Sequence, residues 1–118
     1  MLTLSEVKDI LHATVLTGED ALTNPIDGAF ASDLMSDVLA FVTNNAMLIT
    51  GLINPHVMRT AEMLDLPCIA FSRGKQPSEE MLEMAGEIGI TVLSTPMTSY
   101  QASGELYAHG LLPTNVKT

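Results

Sequence analysis

Four short loops carry the residues of this sequence that are best able to do chemistry. Each loop follows a predicted β-strand, and together they supply hydroxyl groups, glycine amides and two cations, the groups that bind phosphate or carboxylate in proteins. The same residue types also occur in ordinary turns, so one loop alone would indicate little. If the loops meet at one end of a parallel sheet, they predict a site for a small anion. The loops are residues 17–18, 50–53, 72–75 and 94–96.

The candidate ligand-binding residues come from the last three of these loops and from the helix that follows the second. Arg73 and Lys75 matter most, because the sequence holds only 5 Lys and Arg against 14 Asp and Glu. In such an acidic chain, two neighbouring cations beside a glycine can mark an anion site, although a solvent-exposed loop is the alternative. The full set is Thr50, Gly51, His56, Ser72, Arg73, Gly74, Lys75, Ser94 and Thr95.

His56 belongs to this set because of its position in the chain. It lies in the first turn of a predicted helix that has Asn54 as its N-cap and Pro55 at its first position. Its imidazole would therefore face the end of the sheet where the loops gather, with a capping or packing role as the alternative. His12 and His109 are predicted near helix C-termini, where a cation is favourable, and we interpret them as surface or capping residues.

Known catalytic and cofactor-binding motifs are absent from the sequence. There is no G-x-G-x-x-G fingerprint, no nucleophile elbow and no Cys/His cluster with metal-ligand spacing. Gly74-Lys75 is similar to the end of a P-loop, but Gln76 replaces the required Ser or Thr and Ile69 occupies the position of the first glycine. We therefore predict that the protein is not an enzyme and has no catalytic residue, no metal site and no cofactor.

The elements that must position these loops alternate along the chain as strands and helices. The predicted strands lack polar alternation, as expected where helices cover both faces of a parallel sheet. Capping boxes at residues 3–6 and 98–101 begin the first and last helices. Residues 19–31 contain turn dipeptides and are predicted to be irregular, with Ile26 and Phe30 anchoring an extended segment. The predicted strands are residues 14–16, 46–50, 67–72 and 90–94.

Composition limits the class of protein. The 118 residues predict a single domain at residues 1–112 and a C-terminal tail at residues 113–118. The net charge of −9 disfavours nucleic acid as a partner. No apolar run of about 20 residues exists, and Glu6 and Asp9 argue against a signal peptide, so we predict a cytoplasmic protein without a membrane partner. Cys68 is the only cysteine, and its apolar neighbours predict an inert buried thiol.

Several stretches of the sequence resemble the DRTGG domain family, in particular small stand-alone members that are similar to the N-terminal domain of HPr serine kinase. The likeness covers nearly the whole chain, and its motifs occur in the right order. The run Asp-Arg-Thr-Gly-Gly itself is absent, and Ser72-Arg73-Gly74 stands where a Thr-Gly-Gly turn is common. The stretches are 15–19 with 32–38, 48–50 with 54–56 and 64–66, and 73–80 with 90–94.

This resemblance implies a fold and a general role. The implied fold is an α/β, three-layer αβα domain with a mostly parallel sheet, similar to the N-terminal domains of HPr kinase and of Mur ligases. The implied role is regulatory, because DRTGG domains occur beside CBS domains and in some phosphotransacetylases. Kinase activity is not implied, since the chain has neither a P-loop nor a kinase domain.

The loops and the resemblance together predict a non-catalytic regulatory module. It would sense a small anionic metabolite or nucleotide and act through association, as a homodimer or with a protein partner. A purely structural dimerisation or interaction domain without a ligand is the alternative, and a phosphotransferase-related enzyme is a further one. The homodimer is predicted because apolar residues lie on two sides of the last helix, with Tyr100 and Tyr107 on one side and Leu106 on the other.

Overall fold

Strand pairing builds one six-stranded sheet from residues 1–43 and 45–114, which are the residues that the computed structural model describes. The strands are β1 (Leu2–Thr3), β2 (Thr14–Thr17), β3 (Pro25–Ile26), β4 (Gly28–Ala31), β5 (Ala46–Thr50), β6 (Cys68–Phe71), β7 (Thr91–Ser94) and β8 (Leu112–Pro113). The order across the sheet is β2-β7-β6-β5-β4-β8, and β1 pairs separately with β3. From β7 to β8 all neighbours are parallel, and β2 is antiparallel at one edge. The predicted mostly parallel sheet is confirmed.

Five α-helices in the described residues cover the two faces of this sheet. Thr3 and Glu6 form the predicted capping box at the first helix, since each side chain accepts a hydrogen bond from the backbone N–H of the other. Asn54 caps the third helix, with Pro55 as its first residue. None of the described helices is long and apolar enough to span a membrane. The helices are α1 (Leu4–Ile10), α2 (Met35–Phe41), α3 (Pro55–Met63), α4 (Glu79–Ile88) and α5 (Ser99–Ala108).

Alternate residues of each strand point to opposite faces of the sheet, which divides the core into two apolar layers. In β5, Leu48 packs with residues of α2, α3 and α4, whereas Met47 and Ile49 pack with residues of α1 and α5. The three-layer αβα arrangement predicted from the sequence follows from this division. The side of the sheet that α1 and α5 cover is called the α5 face below.

Residues 19–31 differ from the prediction, because they contain two strands. Glu19–Ala21 forms a single 3-10 turn, but β3 and β4 follow it, and β4 is parallel to β5. The turn dipeptide Asp27-Gly28 marks the boundary between these two strands and not the middle of a loop. The prediction of an irregular segment is wrong here because β4 has only four residues and lies between the turn-type residues Asp27 and Ser32.

Two residues that the sequence assigns to the C-terminal tail, Pro113 and Thr114, pair with β4. Pro113 pairs with Ala29 as part of β8, and the N–H of Thr114 donates to the carbonyl of Ala29 at 3.1 Å. Residues 113 and 114 therefore belong to the edge of the sheet. The remaining residues of the predicted tail, 115–118, lie outside the described residues.

Candidate anion-binding site

The loops after β4, β5, β6 and β7 meet at one end of the sheet, at the carboxyl ends of these four strands, because the strands are parallel. The predicted gathering therefore holds for residues 50–53, 72–75 and 94–96. The loop at Thr17-Gly18 lies at the opposite end of the strands, since β2 is antiparallel to β7. There, the hydroxyl of Thr91 at the start of β7 donates to the carbonyl of this glycine at 3.0 Å. The expectation that all four loops gather is wrong for this one.

Gly51 lies among these loops at the carboxyl end of the sheet, with two cations and a hydroxyl group around it. It follows Ile49 by two residues and therefore faces the same side, the α5 face. A Cβ atom placed on this glycine would lie 3.2 Å from Ser72 Oγ, 3.5 Å from Lys75 Nζ and 3.7 Å from Arg73 Nη2. Lys75 Nζ donates to the carbonyl of Gly51 at 2.6 Å, which fixes the ammonium group. The missing side chain thus leaves a space beside two positive charges.

The two cations at this space are not neutralised by ion pairs. Among the described residues the only ion pair joins Lys8 and Asp9, at 3.5 Å. Arg73 and Lys75 therefore form a local region of positive charge in a chain whose net charge is −9. Like charges held close together repel one another, and a bound anion would relieve that repulsion.

Asp33, which follows β4, lies beside Gly51 and accepts its amide hydrogen. Its Oδ1 accepts from the N–H of Gly51 at 2.7 Å and from the hydroxyl of Thr50 at 2.9 Å. The Gly51 N–H has the largest effect and lowers the pKa of this carboxyl. Partial burial opposes that change, while the Thr50 hydroxyl and the charges of Lys75 and Arg73 lower the pKa further. The carboxylate is ionised at neutral pH, so the site carries two positive charges and one negative charge.

The backbone between β6 and α4 directs its amides away from the space at Gly51. Arg73 (φ 57°) and Gly74 (φ 67°) both have the left-handed conformation. Their N–H groups donate to the carbonyls of Met97 and Thr95, each at 2.7 Å. The Cβ of Arg73 makes this conformation less favourable than it is for glycine, but does not prevent it. The amide of Gly74 is therefore already bonded, and Arg73 offers its guanidinium group.

The hydroxyl groups of Thr50, Ser94 and Thr95 are buried and hold the loops together. Ser94 Oγ donates to the carbonyl of Lys75 at 2.9 Å, and Thr95 Oγ1 donates to the carbonyl of Leu11 at 2.6 Å. Ser94 thus holds the loop that bears the cations, and the hydroxyl hydrogens of all three residues are donated to protein oxygen atoms.

Ser72 is the predicted hydroxyl residue that does border the space. Its Oγ lies 3.2 Å from the Oγ of Ser99, the first residue of α5. Sequence reasoning missed Ser99 and Asp33 as members of this arrangement. The sequence could have indicated Ser99, because it follows the helix N-cap Thr98 directly, at the end of the sheet where the loops gather. Nothing in the sequence indicated Asp33, because the strand that it follows was not predicted.

Groups for metal binding or acid–base chemistry do not gather at this end of the sheet within the described residues. No set of three or more His, Cys, Asp or Glu side chains there could hold a metal ion. His56 is exposed, and its backbone N–H donates to Oδ1 of Asn54 at 2.8 Å. Its imidazole makes no hydrogen bond in the part of the chain that the structure describes, and its role in ligand binding stays a prediction.

Comparison with protein families identifies the group to which this chain belongs. The sequence profile of the DRTGG domain matches residues 6–108. The chain belongs to the DRTGG domain family. The resemblance seen in the sequence is thereby confirmed over most of the chain. Among curated proteins, no sequence matches it.

A solved structure shares the fold of this DRTGG domain. It contains the CBS and DRTGG domains of the regulatory region of Clostridium perfringens pyrophosphatase, complexed with the activator diadenosine tetraphosphate, and it matches with a TM-score of 0.75 and 23% sequence identity. The match covers 88% of this chain and 45% of that chain, so the chain spans less than half the length of that structure. At this identity the likeness shows the fold. The similarity to HPr kinase and Mur ligase domains stays a prediction.

Proposed function

We propose that this DRTGG domain is a non-catalytic regulatory module that binds a small anionic metabolite or nucleotide through Arg73 and Lys75. The observation that carries the proposal is the meeting of two cations, unpaired among the described residues, around the open side of Gly51. Hydrogen bonds from both cations to a phosphate are charge-assisted and hence stronger than neutral ones. The planar guanidinium group also matches two phosphate oxygens at once.

The regulatory part of the proposal is supported by the family and by the structural neighbour. That neighbour is part of the regulatory region of a pyrophosphatase and holds a nucleotide activator. We propose by analogy that the present domain senses a nucleotide or a similar anion and passes the signal to a protein partner in the cytoplasm.

Thermal unfolding with and without candidate ligands tests this proposal. Suitable probes are inorganic phosphate, pyrophosphate, acetyl phosphate, AMP and ATP at millimolar concentration. A ligand present at 100 times its Kd adds about 2.7 kcal/mol to the free energy of unfolding. Arg73→Ala and Lys75→Ala should each reduce the resulting rise in Tm, whereas Arg59→Ala, at an exposed position on α3, should preserve it. Absence of stabilisation by every probe contradicts the proposal.

We also propose that the domain forms a homodimer, with or without a ligand. Large apolar side chains remain exposed, whereas Leu106 on the inner side of α5 is buried. A domain that dimerises and binds no ligand is the second candidate function that this observation favours. Light scattering at micromolar concentration tests the dimer, and a mass of 12.6 kDa at all concentrations refutes it. The exposed side chains include Leu34 (58%), Met63 (72%), Tyr100 (91%), Tyr107 (65%) and Leu112 (60%).

A further inference from the structure

A cleft of about 300 Å³ lies on the α5 face. Its floor includes Ala31 of β4 and Ile49 of β5, and its walls come from α5 and from the segment after α5. Tyr107 and Leu112, both exposed, are among the wall residues. Binding sites for small molecules are concave and mostly apolar, with few polar groups, and this volume is at the lower end of their range.

The cleft and the space at Gly51 lie on the same face of the sheet. Ile49 in the floor of the cleft and Gly51 are alternate residues of one chain segment and face the same side. Ser103 in the wall lies one helical turn after Ser99, whose hydroxyl contacts Ser72 at that space. A ligand with an apolar part in the cleft can therefore place a charged part beside the cations.

Ala31 places a backbone donor and acceptor at the rim of this cleft, and neither has a partner among the described residues. The carbonyl of Ala29 accepts from the N–H of Thr114 on one side of β4, and the N–H of Ser32 donates to the carbonyl of Ile49 on the other side. Because successive residues of a strand alternate between its two neighbours, both backbone groups of Ala31 point to the outer edge. Nothing in the described residues pairs with them, since the pairing with β8 stops at Ala29.

A donor and an acceptor side by side match the hydrogen-bonding edge of a nucleobase. The carboxylate of Asp33 offers a third contact, because its Oδ2 has no hydrogen-bond partner among the described residues. Ala31, Asp33 and Gly51 are close together: with strands about 4.8 Å apart and a rise of about 3.3 Å per residue, Ala31 and Gly51 are about 8 Å apart. That separation lies within the length of one nucleotide.

We infer that the site takes a nucleoside 5′-phosphate, an inference that deepens the proposed function and rests on it. The base enters the cleft, packs against Tyr107 and bonds to the backbone of Ala31. The ribose hydroxyl groups donate to Asp33. The phosphate binds Arg73 and Lys75 at the space beside Gly51.

Isothermal titration calorimetry with AMP and with ribose 5-phosphate separates the base from the rest of the ligand. AMP should bind about tenfold or more tightly than ribose 5-phosphate, because only AMP fills the cleft. Tyr107→Ser should reduce AMP to the affinity of ribose 5-phosphate and leave ribose 5-phosphate unchanged. Ala31→Pro should do the same, since it removes an outward N–H at a sheet edge, where proline is tolerated. Tyr100→Ser, on the same helix and 91% exposed, is the matched control and should change neither affinity.

The possible failures are distinguishable. If ribose 5-phosphate and AMP bind the wild-type protein equally well, the nucleoside inference is overturned and the anion site stands. If neither of them nor inorganic phosphate binds, both the inference and the proposed function are overturned. If Tyr107→Ser binds AMP like the wild type but changes the mass found by light scattering, a second copy occupies the cleft and the inference is again wrong. Circular dichroism of each variant verifies that it is folded.

Discussion

Arg73 has a strained backbone conformation at the candidate site, and replacing it with glycine separates stability from binding. At a φ of 57°, a residue with a Cβ is less favourable than glycine by about 1–2 kcal/mol. Glycine in turn loses about 0.5–1 kcal/mol through the greater freedom of the unfolded chain. The side chain of Arg73 is exposed and makes no hydrogen bond or ion pair in the described residues, so little else is lost. Arg73→Gly should therefore raise the free energy of unfolding by about 0.5–1 kcal/mol.

The same substitution should weaken ligand binding, because it removes the guanidinium group. Hydrogen bonds from a charged donor contribute about 1.5–3 kcal/mol, so the affinity for AMP or pyrophosphate should fall by about 10- to 100-fold. Urea unfolding followed by circular dichroism measures the stability, and calorimetry measures the affinity. Arg73→Ala retains a Cβ and should therefore lose the same affinity without the gain in stability.

Gly74→Ala is the matched reverse experiment. Gly74 also has a positive φ, 67°, and no described atom lies within 4 Å of an added Cβ. This variant should lose about 1 kcal/mol or more of stability and retain both cations. If Arg73→Gly instead lowers the free energy of unfolding by more than about 1 kcal/mol, the side chain of Arg73 stabilises the fold and the reasoning is refuted.

Three further predictions follow from single groups. Gly51→Ala should weaken AMP binding by about tenfold or more, because the methyl group occupies the space between the cations. The control variant Gly86→Ala, in open space on α4, should leave binding unchanged and slightly raise stability. Equal AMP affinities for the two variants would show that the ligand binds elsewhere. The pKa of Asp33 is lowered in the folded protein, so its ionised form contributes stability above the ordinary value of that pKa, and this contribution is lost as the pH falls through the folded value. The stability difference between wild type and Asp33→Asn in urea unfolding should therefore shrink as the pH is lowered from neutral towards about 3, and a pH-independent difference would contradict this assignment. Burial raises the pKa of Cys68 to about 12, so a thiol reagent at about pH 8 should label the unfolded chain and not the folded one; rapid labelling of the folded protein would show that the thiol is accessible.

The central part of the fold was predictable because its signals are local. Apolar runs at β5, β6 and β7 and the caps at Thr3 and Asn54 each lie within a few residues of the element that they mark. The direction of β2 was not predictable, since it depends on pairing between residues as distant as Thr14 and Ser94. The strand β4 was also missed, because it has only four residues, three of them Gly or Ala, and turn-type residues lie on both sides of it.

The candidate site was predictable in its charges and not in its hydrogen bonds. Arg73 and Lys75 stand out because cations are rare in this chain. Which hydroxyl groups remain free depends on partners that are distant in sequence: Thr95 donates to the carbonyl of Leu11, 84 residues away. The space beside Gly51 is likewise formed by the side chains of Ser72, Arg73 and Lys75, which come from another loop, so no local sequence pattern indicates it.

The side of the sheet on which the site lies determines which helix a ligand can move. Gly51 faces α5, and Ser99 at the start of that helix contacts Ser72, so a phosphate at this space would lie against the first turn of α5. A base in the cleft would contact the same helix at Tyr107. The helices α2, α3 and α4 pack on the opposite face of the sheet. Since the outer side of α5 also exposes Tyr100, the module that we propose would transmit ligand binding to a second copy or a protein partner through α5.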